Sequence, residues 1–257
     1  MQTVSTDVRG RTLVVTIERP AARNAVDGPT AQQLYDAFKA FDADAAMDVA
    51  VLQGRGGTFC AGADLKGVAE GRGNPVHRDG DLGPMGCTRL ALGKPVIAAI
   101  EGHACAGGLG VALFCDIRIV DDSATFGVFS RRWGVPMSDG TTVRLPRIVG
   151  QGRALDMLLT GRAVGADEAI AIGLATRKVA RGTTRAAAER LAREIAGFPP
   201  IAMTSDRQSA YESFDRDQHA AVRREMELSL AARRQESQKG AARFAHGEGR
   251  HGKFERS

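Results

Sequence analysis

The feature that most limits the folds open to this chain is a pair of glycine-rich turns, each directly behind an apolar run. The first turn is Gly54-Arg55-Gly56-Gly57-Thr58-Phe59-Cys60-Ala61-Gly62-Ala63-Asp64-Leu65-Lys66, behind Val49 to Leu52. The second is Glu101-Gly102-His103-Ala104-Cys105-Ala106-Gly107-Gly108-Leu109-Gly110, behind Pro95 to Ile100. Apolar, β-branched runs bounded by glycine read as strands. Each turn then enters a stretch of helical character, so both are strand-to-helix junctions. A helix N-terminus leaves backbone N–H groups without internal partners, and small residues let a ligand approach them. Taken singly, each is read as a plain tight turn. Side by side, the two would make an oxyanion hole. Neither ends in the Gly-Lys-Ser/Thr of a phosphate loop, and neither fits the dinucleotide fingerprint.

Around these turns the period of the apolar residues changes once. The first half predicts strands at Thr12 to Ile17, Val49 to Leu52, Pro95 to Ile100, Ile117 to Val120 and Thr125 to Gly127. One helix is predicted from Asp27-Gly28-Pro29-Thr30, with Leu34, Phe38 and Phe41 as its buried stripe. The second half predicts helices at Arg153 to Leu159, Ala166 to Ile172, Thr184 to Ile195, Ile201 to Phe214, Gln218 to Leu230 and Ser237 to Phe244. Pro199-Pro200 is the expected boundary, because neither residue continues a helix. The fold class is therefore an α/β core over residues 1–198 with a helical region over 199–257.

Composition narrows the partners. The net charge is +5, but basic residues alternate with acidic ones, as in Arg223-Arg224-Glu225-Met226-Glu227, the pattern of a solvated helix face. With few aromatics to stack bases, no nucleic-acid partner is expected. The longest nearly apolar stretch, Ala104 to Cys115, is shorter than the about 20 residues that span a bilayer, so no membrane partner is expected. The start of the chain lacks the apolar run of a secretory signal. Cys60, Cys87, Cys105 and Cys115 show no CxxC and no metal-ligand spacing. They are expected as free thiols in a cytoplasmic protein, with no metal site.

Read in order, a longer series of motifs joins these turns. It comprises Glu18-Arg19-Pro20 with Arg23-Asn24-Ala25, Phe59 to Lys66, Lys94 to Ile100 with Gly107-Gly108, and Cys115-Asp116-Ile117-Arg118. It continues through Phe126-Gly127, Arg144 to Gly150, and Leu159-Thr160-Gly161-Arg162 to Gly173-Leu174. In this the chain resembles the crotonase, or enoyl-CoA hydratase/isomerase, superfamily over nearly its whole length. The resemblance implies a spiral of repeated β-β-α units followed by helices that build a homotrimer, often paired into a hexamer. It implies an acyl-CoA substrate, with coenzyme A part of the thioester and no permanently bound cofactor. Ala63 and Gly107 would donate the oxyanion-hole N–H groups. Arg23, Ala25, Ala61, Ala63, Asp64, Leu65, Lys66 and Gly107 would line the coenzyme A site, Arg23 and Lys66 as phosphate-facing cations or as solvated surface charges.

The same resemblance exposes a departure. Two glutamates serve family hydratases as acid and base; by motif they fall at Gly110 and Ser130, and neither is a carboxylate. Asp139, in Trp133 to Thr142 along the implied acyl pocket, is the replacement candidate. It is either a catalytic acid–base group or the N-cap of a helix beginning near Thr141. Ser130 either positions a water or is plain pocket wall. His103, Cys60 and Cys105 are expected to be structural, and Asp64 to support its loop. Two functions stay open: an acyl-CoA enzyme with little simple hydratase turnover, or an acyl-CoA-binding protein. A scaffold with a vestigial pocket is a weaker third.

Overall fold

In a computed structural model, which describes residues 2–74 and 76–249, the apolar runs become the strands of two sheets. β1 (Val4–Arg9) and β2 (Thr12–Ile17) form an antiparallel hairpin across Gly10, whose φ of 62° suits the tight turn. α1 (Gly28–Ala43) follows. Its N-cap is Asp27, which accepts the Thr30 N–H at 3.0 Å, and its stripe Leu34, Phe38 and Phe41 is buried as the spacing predicts. β3 (Val49–Gly54) leads through the first glycine turn to the short α2 (Leu65–Ala69). β4 (Val96–Ile100) and β5 (His103–Cys105) lead through the second to α3 (Gly107–Phe114). β6 (Ile117–Val120) and β7 (Thr125–Gly127) repeat the same strand pair.

The larger sheet has the order β1-β2-β3-β4-β6-β9, parallel from β2 onward, where β9 is Arg177–Lys178. Parallel neighbours need crossover connections, and both faces of such a sheet are covered. That is why every residue of β2 and β4 is buried. Beyond the larger sheet, β7 pairs on one side with β5 and on the other with β8 (Val164–Gly165) in a second sheet. Each of the turns β4-β5-α3 and β6-β7 thus steps from one sheet to the other. All eight residues of α3 are buried, so this helix is apolar all round rather than amphipathic. The remaining helices are α4 (Thr141–Val149), α5 (Gln151–Thr160), α6 (Ala166–Ala171) and α7 (Thr184–Ala196).

The chain divides into two compact units, residues 1–195 and 196–257. The break precedes Pro199-Pro200. Pro200 is the first residue of α8 (Pro200–Glu212), where a missing N–H costs nothing. In the second unit α8 packs along α9 (Gln218–Ala232), which runs through a π-helical turn at Arg233–Ser237 into α10 (Gln238–Ala245). The Glu236 carboxylate accepts the Ile201 and Ala202 N–H groups at 3.0 and 2.8 Å, capping α8 from the π-helical turn. Phe198, Phe214, Val222, Met226 and Phe244 are exposed there. No helix among the described residues is long and apolar enough to cross a membrane.

Candidate active site

The first glycine turn is held by the segment 19–27. Arg23 and Asn24 take left-handed φ values of 53° and 55°, a conformation asparagine tolerates. The buried Asn24 amide donates to the Arg55 and Thr58 carbonyls at 2.9 and 2.5 Å, and its oxygen accepts the Arg19 N–H at 3.0 Å. Val26 N–H donates to Gly62 O at 2.8 Å and Asp64 N–H to Val26 O at 2.9 Å. This bridge pairs Val26 with Ala63 and turns Ala63's own N–H to the opposite side. Asp64 caps α2 by accepting the Gly67 N–H at 3.1 Å. The Arg19 guanidinium joins Asp64 at 2.8 Å and Asp27 at 3.1 Å, and donates to the Ala25 carbonyl. Burial pushes the Asp64 carboxyl up, but Arg19 and the Gly67 amide outweigh it and hold the group below the usual range.

The second turn lies against the first, backbone to backbone. Cys60 N–H donates to His103 O at 2.8 Å, and Cys105 N–H to Cys60 O at 3.0 Å. A Cβ on Gly62 would stand 3.0 Å from Gly107 N, and one on Gly108 would stand 2.1 Å from Cys60 O. Ala106, which immediately precedes Gly107, has φ 49° and ψ −123°. That strained conformation is uncommon for alanine and is held by its N–H on Gly127 O at 2.8 Å. Gly107 then opens α3, where no residue of the helix can accept its N–H. Among the described residues, no protein group accepts from the N–H of Ala63 or of Gly107. The Met85 sulfur lies where a Cβ on Gly107 would come within 2.6 Å.

Asp139 reaches the same helix. It is buried to 3% exposure, and a Cβ built on Gly110 would stand 2.4 Å from its Cγ. Gly110 follows Gly107 by three residues, about 4.5 Å along the helix. The helix expected near Thr141 has Gly140 as its N-cap, not Asp139. Yet Asp139 Oδ1 does accept from that helix's first residue, the Thr141 hydroxyl at 2.6 Å and the Thr141 N–H at 3.2 Å. Burial raises the Asp139 carboxyl above the usual range, and these two hydrogen bonds offset it only in part. Ser130 is buried, with its hydroxyl 3.5 Å from the Met137 sulfur.

The segments carrying Arg23, Ala25, Ala61 and Asp64 run side by side, with Ala61 N–H on Arg23 O at 3.1 Å. Arg23, Leu65 and Lys66 are exposed, and neither cation forms an ion pair among the described residues. Trp133 is exposed and His103 lies exposed on β5. All four cysteines are free; burial pushes the Cys60, Cys87 and Cys105 thiols up to about 12 and Cys115 well up. No group of three His, Cys, Asp or Glu among the described residues is placed to hold a metal.

The family model "Enoyl-CoA hydratase/isomerase" matches residues 8–256. The chain belongs to this family. An enoyl-CoA hydratase of Mycobacterium tuberculosis is 38% identical over 209 residues, covering 80% of this chain and 79% of that protein. A carnitinyl-CoA dehydratase of Proteus mirabilis is 36% identical, covering 79% and 78%. The crystal structure of an enoyl-CoA hydratase from Mycobacterium marinum superposes with a TM-score of 0.89 at 33% identity, over 95% of this chain and 96% of that one. The crotonase fold expected of the α/β core is therefore the fold observed.

Three features of this enoyl-CoA hydratase/isomerase family member carry no role in the sequence reading. Arg19 stands in the Glu18-Arg19-Pro20 motif, but its bridge between Asp27 and Asp64 needs residues 45 positions apart. Thr141 orients Asp139, and threonine two residues after aspartate is a local signal that could have marked it. Met85 over Gly107 leaves no trace in the local pattern.

Proposed function

We propose that this chain is an enzyme acting on an acyl-CoA thioester, whose carbonyl oxygen is held by the N–H groups of Ala63 and Gly107. The observation that carries this reading is that no group among the described residues accepts from either N–H while their turns are in backbone contact. Loss of an α-proton, or addition at the β-carbon, turns the thioester into an enolate with charge on that oxygen. Fixed donors stabilise such charge, and removing one typically costs about 2.7–4 kcal/mol of barrier. Both donors are backbone groups on a strand bridge and a strained helix start, so they need little reorganisation. Arg23 and Lys66, exposed beside the first turn, suit the phosphates of coenzyme A.

Asp139 is the group we assign to move the proton at the α-carbon. Its burial raises it above an ordinary aspartate, the direction that suits a general acid–base group. With Gly110 and Ser130 unable to ionise, one carboxylate serves where a two-glutamate hydratase has two, so hydration of simple crotonyl-CoA is expected to be slow. The test is exchange of the α-protons of butyryl-CoA in D2O, followed by NMR. Asp139→Asn is expected to lower exchange by about 100-fold or more with butyryl-CoA affinity retained. Unchanged exchange refutes the role of Asp139. Binding without exchange in the wild type favours an acyl-CoA-binding protein, as the missing glutamates would allow; no affinity removes the acyl-CoA reading. The exposed apolar residues of α8–α10 support assembly as a homotrimer or a dimer of trimers, which light scattering tests.

A further inference from the structure

We propose that Gly110 is a positioning residue: the side chain it lacks is the space in which the Asp139 carboxylate lies. This rests on the reading of Asp139 as the proton-moving group. A Cβ at position 110 would meet Cγ, Oδ1 and Oδ2 of Asp139 at 2.4, 2.5 and 2.7 Å. No backbone requirement explains this glycine. It lies inside α3 and is absent from the positive-φ positions, so an alanine would adopt its conformation. Alanine also favours helix over glycine. Gly108 is needed against the Cys60 carbonyl and Gly107 against Met85; at Gly110 the neighbour is Asp139.

Asp139 has little freedom to retreat. Thr141 holds its carboxylate through both N–H and hydroxyl. Arg144 holds its carbonyl at 3.2 Å while also bonding Thr88 O at 2.7 Å. Gly140, at φ 84°, fixes the turn that follows. The short aspartate side chain therefore cannot swing clear as a methionine could. The site's carboxylate is placed by two residues on different elements, one supplying the group and the other withholding a side chain.

The experiment is a double-mutant cycle on the full chain with Gly110→Ala, Asp139→Ala and both. Thermal stability and α-proton exchange of butyryl-CoA are read for each, with Asp139→Asn as the control for the functional reading. Gly110→Ala is expected to destabilise the wild type but to stabilise the Asp139→Ala background, a reversal of sign. Its exchange rate is expected to fall about tenfold or more with butyryl-CoA affinity within about threefold of wild type. The same stability change in both backgrounds overturns the proposal, as does undiminished exchange in Gly110→Ala. If Gly110→Ala fails to fold, recovery of folding in the double variant supports the proposal and continued failure overturns it. If Asp139→Asn exchanges normally, the functional reading fails, and the sign reversal decides separately whether the steric pairing is real.

Discussion

The two glycine turns present the same chemical feature, an N–H that no group among the described residues accepts, and reach it by different physics. The first turn is held by charge and side-chain hydrogen bonds: Arg19 on Asp27 and Asp64, and Asn24 on two carbonyls. The second is held by close packing. Gly108 lies on the Cys60 carbonyl, Gly107 under Met85, and Ala106 is strained into place. A turn held by charge responds to pH and salt. A turn held by packing responds to volume, since interiors tolerate little extra bulk.

The largest expected effect tests the packed turn. Gly108→Ala places a Cβ 2.1 Å from Cys60 O, a backbone atom that cannot turn aside, and is expected to cost about 3 kcal/mol or more in urea unfolding. A loss below about 1 kcal/mol would show that this turn has slack. Next comes the charged turn. Arg19→Met leaves two carboxylates that are 10% and 12% exposed without their cation, an expected cost of about 2–3 kcal/mol at neutral pH. That cost should shrink in acid; equal cost at every pH would mean packing, not charge, is what Arg19 provides. Gly107→Ala should cost less, about 1–2 kcal/mol, because the obstructing Met85 is flexible.

The smallest effect is the most diagnostic, because two aspartates shift in opposite directions. Asp64 is held below its ordinary range, so its stabilisation is full above the unfolded-state pKa and is lost as pH falls through the folded one. Asp139 is raised, so the folded state favours its proton. Its contribution is greatest below the unfolded-state pKa and declines as pH rises through the folded value. Melting temperature against pH should therefore lose an acid-side slope in Asp64→Asn and flatten in the opposite sense in Asp139→Asn. Slopes of one sign in both variants would break the contrast.

Much of this architecture is local enough to see in the chain. Thr12 to Ile17, Ile117 to Val120 and the α1 stripe lie where their periods put them. β1, β5, β8 and β9 escaped that reading. β5, β8 and β9 are only two or three residues long, and pairing with distant partners is what makes them strands; β1 is polar and mostly exposed, and its hairpin pairing with β2 makes it one. The two turns were visible as candidate donors because glycine clusters announce a backbone requirement. Asp139 was visible only as an ambiguity between a cap and a catalyst, since its contact with Thr141 is local and its contact with Gly110 is not.

The sequence by itself determined the alternation of strand and helix and the places where the backbone needs small residues. Periodicity and steric freedom act over a few residues, and the chain carries them in order. Only the tertiary structure decided that residues 62 and 107 meet, and that residue 139 fills the space left at 110. Those distances depend on crossovers between sheets, where chain segments dozens of residues apart are brought together by burial of a shared core rather than by local preference.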